Sequence, residues 1–248
     1  MKKDIVAIIP ARMGSSRFPG KPMKEINGIP MIEHVYKNVK KCRSLSQVIV
    51  ATCDDEIFNH VKKIGGLSIM TNKSHERASD RCAEALSIYE NERGIKCDIM
   101  VMVQGDEPMV KPEMIEESIN PMLNNENINI VNLASKISSD EEFVDPNCIK
   151  VVLDKNNDAI FFSRQPIPSN AKKNERLKQV CIIPFKREYL YYYSNLRPTP
   201  LESSESIDML RIIEHGEKVR IVPTKYQTHA VDTLDDLKRV ESLILLSQ

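Results

Sequence analysis

Apolar and polar positions along the chain fall into short blocks whose period changes from one block to the next. "DIVAIIP" (4–10) is an almost unbroken apolar run, the pattern of a strand buried on both faces, and it leads into a glycine-bearing loop. Helical spacing follows near residues 30–42. "QVIVAT" (47–52) predicts the next strand, and "DDEIFNHVKKIG" (54–65) an amphipathic helix stopped by Gly65-Gly66. "LSIM" (67–70) predicts a third, short strand. From His75 to Arg93, Ala78, Cys82, Ala85, Leu86 and Tyr89 mark one face of a helix, and "CDIMVMVQ" (97–104) is apolar on both faces, as a central parallel strand is. Such strand–helix alternation predicts a doubly wound α/β sheet with right-handed crossovers.

The pattern changes after residue 128. "INIVNLASKI", "CIKVVLD" and "AIFFSR" follow one another with the turn residues Asn156-Asn157-Asp158 between the last two, which predicts antiparallel pairing. "KQVCIIPFKR" (178–187), "KVRIVP" (218–223) and a helix from residue 233 complete the pattern. The expected architecture is a mostly parallel, mixed sheet with a small antiparallel extension in one domain, 1–248. Its parts are a first half (1–125), a second part (126–230) and a C-terminal helix (231–248).

Charge and composition narrow the partners. Lys and Arg number 35 against 35 Asp and Glu, so the formal net charge is zero and nothing favours wrapping a polyanion or an anionic membrane. Aromatic residues make up 5% and Trp is absent, too few for a single-strand stacking platform, so no nucleic-acid partner is expected. The six cysteines form no C-x-x-C pair and several sit in apolar runs, which points to a reducing compartment. Asp4 and Pro10 bracket the first apolar run too tightly for a signal-peptide core, and no stretch has the length of a membrane span. The expectation is a soluble, cytoplasmic protein without a membrane partner.

Overall neutrality makes one local cluster informative. "IIPARMGSSRFPGKP" (8–22) sets Arg12, Arg17 and Lys21 around Gly14 and Gly20 behind a strand, where backbone N–H groups and three cations can receive phosphates. It is not a Walker A loop, since five residues separate Gly14 from Gly20-Lys21 and Pro22 stands where Ser or Thr is required. On residue types alone, a solvated basic turn is an equal alternative. "VQGDEP" (103–108) puts Asp106 at a strand's carboxyl end, where a hard oxygen ligand suits Mg²⁺, although Gly, Asp and Pro also make ordinary turns. In "HAVDTLDDL" (229–237), T-L-D-D has the form of a helix N-terminal cap just after Asp232, which can help begin the last helix, serve as a ligand, or do both. Arg164 in "FFSRQPIP" can pair bidentately with a carboxylate.

Taken together, these strings resemble the sugar-activating nucleotidylyltransferases, in particular the 3-deoxy-manno-octulosonate (Kdo) cytidylyltransferases and their acylneuraminate relatives. The likeness runs from residue 4 to residue 240 and implies a nucleotide-diphospho-sugar transferase-like fold. It implies that Arg12, Arg17 and Lys21 hold the triphosphate and help pyrophosphate leave, acting with Asp106 as the catalytic set. Pro10, Ala11, Gly14, Ser15 and Ser16 join the nucleotide site, the two serines as phosphate donors. "SHERASDRCAEA" (74–85) resembles the family's stretch facing the nucleotide and adds His75, Ser79 and Arg81. The Q-G-D-E-P string carries the family's metal-binding aspartate, here Asp106, with Gln104 as a sugar contact. The family's G-V-D-T-x-x-D-L pattern places a second metal aspartate at Asp232, both serving Mg²⁺.

On the acceptor side the resemblance assigns Arg164 to the carboxylate of an acidic sugar and Glu205 to a substrate-contacting helix within 200–219. Two departures stand out. Gln179, in K-Q-V-C-I-I-P-F-K, replaces the His of the family's R-H-x-G-I-Y-x-Y-R, and S-S-E-S-I-D-M-L-R replaces H-x-E-M-L-E-Q-L-R. The implied reaction is Mg²⁺-dependent transfer of CMP from CTP to Kdo or a Kdo-like acid with release of pyrophosphate, by a homodimer. Transfer to another acidic acceptor or a sugar 1-phosphate, and a non-catalytic nucleotide-binding regulator, are the alternatives. No residue stands out as a general base.

Overall fold

The first strand, β1 (Ile5–Ala11), is buried along its whole length, as its apolar run requires. The computed structural model describes residues 3–14 and 17–246, so the phosphate-donor roles expected of Ser15 and Ser16 lie outside the described residues. Its chain divides into two compact units, one made of Met1–Glu116 with Thr228–Gln248 and the other of Glu117–Gln227.

In the first unit, β1 is followed by a small hairpin, β2 (Glu25–Ile26) and β3 (Ile29–Pro30), then α1 (Met31–Lys40). Next come β4 (Gln47–Thr52), α2 (Asp55–Lys63), β5 (Leu67–Met70), α3 (Ala78–Arg93) and β6 (Ile99–Val103). These match the predicted blocks, but α3 begins at Ala78 rather than at His75. Residues 71–77 are held instead by side chains described below. The strands of this unit lie in the order β6-β1-β4-β5, all parallel, with Val6 opposite Gln47 on one side and Met100 on the other. Their interior is Val, Ile, Ala and Met, the composition of strands covered on both faces.

α4 (Pro112–Asn124) contains the boundary between the units. The second unit holds β7 (Val131–Lys136), α5 (Asp140–Val144), β8 (Lys150–Leu153), β9 (Ala159–Ser163), β10 (Leu177–Val180), β11 (Ile182–Lys186), α6 (Arg187–Ser194), α7 (Pro200–Glu205), α8 (Met209–Glu214) and β12 (Arg220–Thr224). Its sheet runs β12-β7-β10-β8-β9. β8 and β9 form the expected antiparallel hairpin, with Asn157 at φ 63° in its turn. β7 does not pair with β8, because β10 lies between them, and β12 joins β7 in parallel, so this sheet is mixed.

Two predicted elements are divided. The run at 178–187 bends at Cys181 into β10 and β11, and the helix expected within 200–219 becomes α7 and α8, separated where Ser206 adopts φ 55°. The last helix, α9 (Leu234–Leu246), belongs to the first unit, where Val231, Leu237 and Val240 share a core with Ile26 and Met31. All six cysteines carry thiols. Among the described residues no helix is long and apolar enough to cross a membrane.

Candidate active site

The order of the parallel strands locates the site. From β1 the chain moves outward through β4 to β5, then returns to the other flank of β1 with β6. Open α/β sheets bind ligands beyond the carboxyl ends of the strands where the order reverses. Here those ends are Pro10-Ala11, continuing into Arg12, and Val103, continuing into Gln104-Gly105-Asp106. Gly105 is demanded by packing as well as by turn chemistry. A Cβ there would stand 2.9 Å from the Pro10 carbonyl oxygen and 3.5 Å from Ala11 Cβ. Its missing side chain lets the two strand ends lie against each other.

The glycine loop is closed on itself. Gly20 N–H donates to the Met13 carbonyl (3.0 Å), and the Asp54 carboxylate accepts the Met13 N–H (2.8 Å). Gly20 adopts φ 71°, the left-handed region that favours glycine, immediately before a short 3₁₀ turn at Lys21–Met23. That turn delivers Lys21 between two carboxylates. Its Nζ lies 2.8 Å from Asp106 Oδ2 and 3.1 Å from Asp232 Oδ1, and an Arg17 Nη reaches the same Asp232 oxygen at 3.1 Å. The Lys21, Asp106 and Asp232 side chains are 12%, 22% and 15% exposed, so these contacts are screened less than those of a surface pair. Burial opposes the charge on Lys21, but Asp106 and Asp232 together outweigh it and hold the ammonium above the usual lysine range.

Asp232 is brought to this place by backbone. Val231 N–H donates to the Asp106 carbonyl at 3.0 Å. The cap of α9 is Thr233, whose Oγ1 accepts the Asp236 N–H (3.2 Å) while Asp236 Oδ2 accepts the Thr233 and Asp232 N–H groups (2.8 and 3.1 Å). The expected T-L-D-D cap is thus made by Thr233 and Asp236, while the Asp232 carboxylate turns to Lys21 and Arg17.

The stretch at 71–84 surrounds Arg12. Arg12 Nη1 donates to the His75 carbonyl at 3.3 Å. His75 Nε2 meets Glu84 Oε2 at 2.5 Å, and the same oxygen accepts the Asn72 N–H at 2.8 Å. Arg81 is 2% exposed, and its guanidinium donates to Thr71 Oγ1 (2.5 Å), the Asn72 carbonyl (3.3 Å) and the His75 carbonyl (3.4 Å). Arg81 therefore works from beneath the loop that carries His75. Ser79 is fully buried on the same helix, and Gly14 stands in open space. Asp54 and Glu84, which order both loops, were not singled out in the sequence. Glu84 lies one helical turn beyond Arg81, and that spacing was the available signal.

In the second unit the structure brings Arg164 and Glu205 together. Glu205 accepts the Ser163 hydroxyl (3.1 Å) and the Arg164 N–H (2.9 Å) at the end of β9. The Arg164 guanidinium donates to the carbonyls of Glu205 (2.7 Å), Pro146 (2.8 Å) and Ser206 (3.4 Å). Gln179 Nε2 donates to Asn132 Oδ1 at 2.6 Å on neighbouring strands. Lys150, fully buried, donates from Nζ to the carbonyls of Asp145 (2.9 Å), Cys148 (2.7 Å) and Arg164.

The donor set at Asp106 and Asp232 fits a hard divalent cation. Both side chains are carboxylates, hard oxygen donors that Lys21 engages together. Two protein oxygens completed by water and phosphate are the pattern Mg²⁺ favours, whereas zinc or calcium recruits more protein ligands.

Known proteins resemble this chain along most of its length. Residues 6–219 match the family model described as Cytidylyltransferase. The 3-deoxy-manno-octulosonate cytidylyltransferase of Geobacter metallireducens is 41% identical over 249 residues, covering 95% of this chain and 96% of that protein. The enzyme of the same name from Trichlorobacter lovleyi is 40% identical over 250 residues, covering 96% and 97%. Among solved structures, CMP:2-keto-3-deoxy-manno-octonic acid synthetase complexed with CTP superposes with a TM-score of 0.87 at 36% identity, over 99% of this chain and all of that one. On the strength of a family model that matches residues 6–219 and of relatives about 40% identical over nearly the whole length, this chain belongs to the cytidylyltransferase family.

Proposed function

We propose that the chain transfers CMP from CTP to Kdo, releasing pyrophosphate. The observation that carries this is its full-length similarity, at about 40% identity, to enzymes named for that acid sugar. The acceptor's hydroxyl oxygen forms a bond to the α-phosphorus of CTP, the bond from that phosphorus to the β-phosphate oxygen breaks, and the hydroxyl proton is released. Arg12, Arg17 and Lys21 receive the triphosphate and neutralise charge that builds on the departing pyrophosphate. Catalysis of this kind is mostly positioning and electrostatics, which suits a cradle of cations at the ends of two strands.

Asp106 and Asp232 would hold Mg²⁺, which when bound would offset phosphate charge and lower the pKa of an attacking hydroxyl. A homodimer working in the cytoplasm, without a membrane or nucleic-acid partner, completes the proposal on the strength of the family resemblance.

The test is pyrophosphate release from CTP, UTP, GTP and dTTP, each with Kdo and with other 3-deoxy and nonulosonic acids. CTP with Kdo is expected to dominate, and a preference for UTP or dTTP overturns the assignment. Asp106→Asn, nearly isosteric, should lower turnover about 10³-fold or more while leaving the thermal unfolding transition in place.

A further inference from the structure

The charges that meet at Asp106 and Asp232 balance. Lys21 and Arg17 face Asp106 and Asp232, two positive charges against two negative ones. The Lys21 ammonium also engages Asp106 Oδ2 and Asp232 Oδ1, oxygens that a shared divalent cation would compete for. A neutral group of this kind exerts little net attraction on a free dication, and any dication arriving there meets an ammonium already in place.

We propose that Lys21 is a resident counter-ion of Asp106 and Asp232, so that a divalent cation binds there only after a polyanionic ligand draws Lys21 away onto its phosphates. This rests on the reading of the two aspartates as metal holders. A lysine suits such an exchange, because its compact ammonium rides on a flexible stem and makes no planar, bidentate fork that must be broken in register. In the ligand-free protein Lys21 offsets the repulsion between the two carboxylates and keeps Asp232 beside the end of β6. A triphosphate or pyrophosphate brings several negative charges and outbids the two carboxylates for the cations. The aspartates are then left facing the phosphates without a counter-ion, which is the state that attracts a dication. Metal loading thus follows nucleotide loading, and Lys21 works before chemistry as well as during it.

The test uses the full-length protein without nucleotide and Mn²⁺ alone as the probe, with free Mn²⁺ followed by electron paramagnetic resonance. Lys21→Met keeps the length of the stem and removes the charge. It is expected to bind Mn²⁺ at least about tenfold more tightly than the wild type, because a unit charge beside the ligand oxygens is gone. Mn²⁺ should also raise the melting temperature of Lys21→Met more than that of the wild type. Adding Asp106→Asn to Lys21→Met should abolish the gain.

Equal or weaker Mn²⁺ binding by Lys21→Met overturns the proposal. Tight binding by the nucleotide-free wild type that Asp106→Asn removes overturns it too, yet leaves the metal ligands standing; this titration needs no Lys21 variant to fold. If Lys21→Met binds tightly and the added Asp106→Asn changes nothing, the metal assignment falls and the proposal falls with it.

Discussion

Lys21 and Lys150 are both withdrawn from water, Lys150 completely, and their surroundings pull proton affinity in opposite directions. Burial lowers the proton affinity of Lys150, whose partners are backbone carbonyls, whereas two carboxylates reverse that effect at Lys21. Because the folded pKa of Lys21 is raised, its contribution to stability is fully present below the unfolded lysine pKa and is lost only as pH rises through the folded value, on the far alkaline side. Lys150→Met should destabilise the protein by about 3 kcal/mol, since three carbonyls lose their donor. Urea denaturation measures this, and a midpoint equal to that of the wild type would show that other donors replace it. Within the sequence Lys150 looks like any solvated lysine beside an apolar pair. Its burial depends on carbonyls from Asp145, Cys148 and Arg164, the last fourteen positions away, so local pattern could not reveal it.

At the level of elements, apolar period found the parallel strands closely: β4 and β5 occupy the predicted residues, β6 lies inside its predicted run, and β1 is shifted by one residue to end at Ala11. Long apolar runs at low local ambiguity make such strands legible. α6 was not found, because its tyrosine-rich "REYLYYYS" has aromatic, strand-favouring character and is helical only through its packing, with Tyr189, Leu190 and Tyr193 buried. The breaks at Cys181 and Ser206 were equally hidden, since neither is a Gly or Pro. β6 supplies the prediction at this scale. Gly105→Ala places a methyl 2.9 Å from the Pro10 carbonyl, so β6 must retreat from β1 or the turn must shift. Stability should fall by about 1–3 kcal/mol. Displacing Asp106 by even about 1 Å should reduce turnover on the order of 10²-fold. A melting curve and a pyrophosphate assay check the two effects, and near-normal values in both would mean that the strand ends are not in tight contact.

For the whole molecule, zero formal charge hides a strongly patterned distribution in which charged groups meet particular partners. Acid stability illustrates this. Burial raises the proton affinity of Glu33, but its bonds to Lys37 (2.6 Å) and His60 (2.8 Å) win and hold its carboxyl below the usual range. A depressed carboxyl contributes stability that is present above its unfolded pKa and is lost as pH falls through the folded one. Glu33→Gln should therefore flatten the acid limb of the stability curve below pH about 4.5. An acid limb as steep as that of the wild type in urea titrations would remove Glu33 from the account. By itself the sequence determined the apolar periods of the strands, the cationic glycine loop, and the two motifs that carry Asp106 and Asp232, because each is a property of neighbouring residues. Only the tertiary structure decided that those aspartates share one lysine and that Arg81 braces a loop from below. Those outcomes follow from contacts between separate segments of the chain, which strand order and backbone hydrogen bonds, not local spacing, bring together.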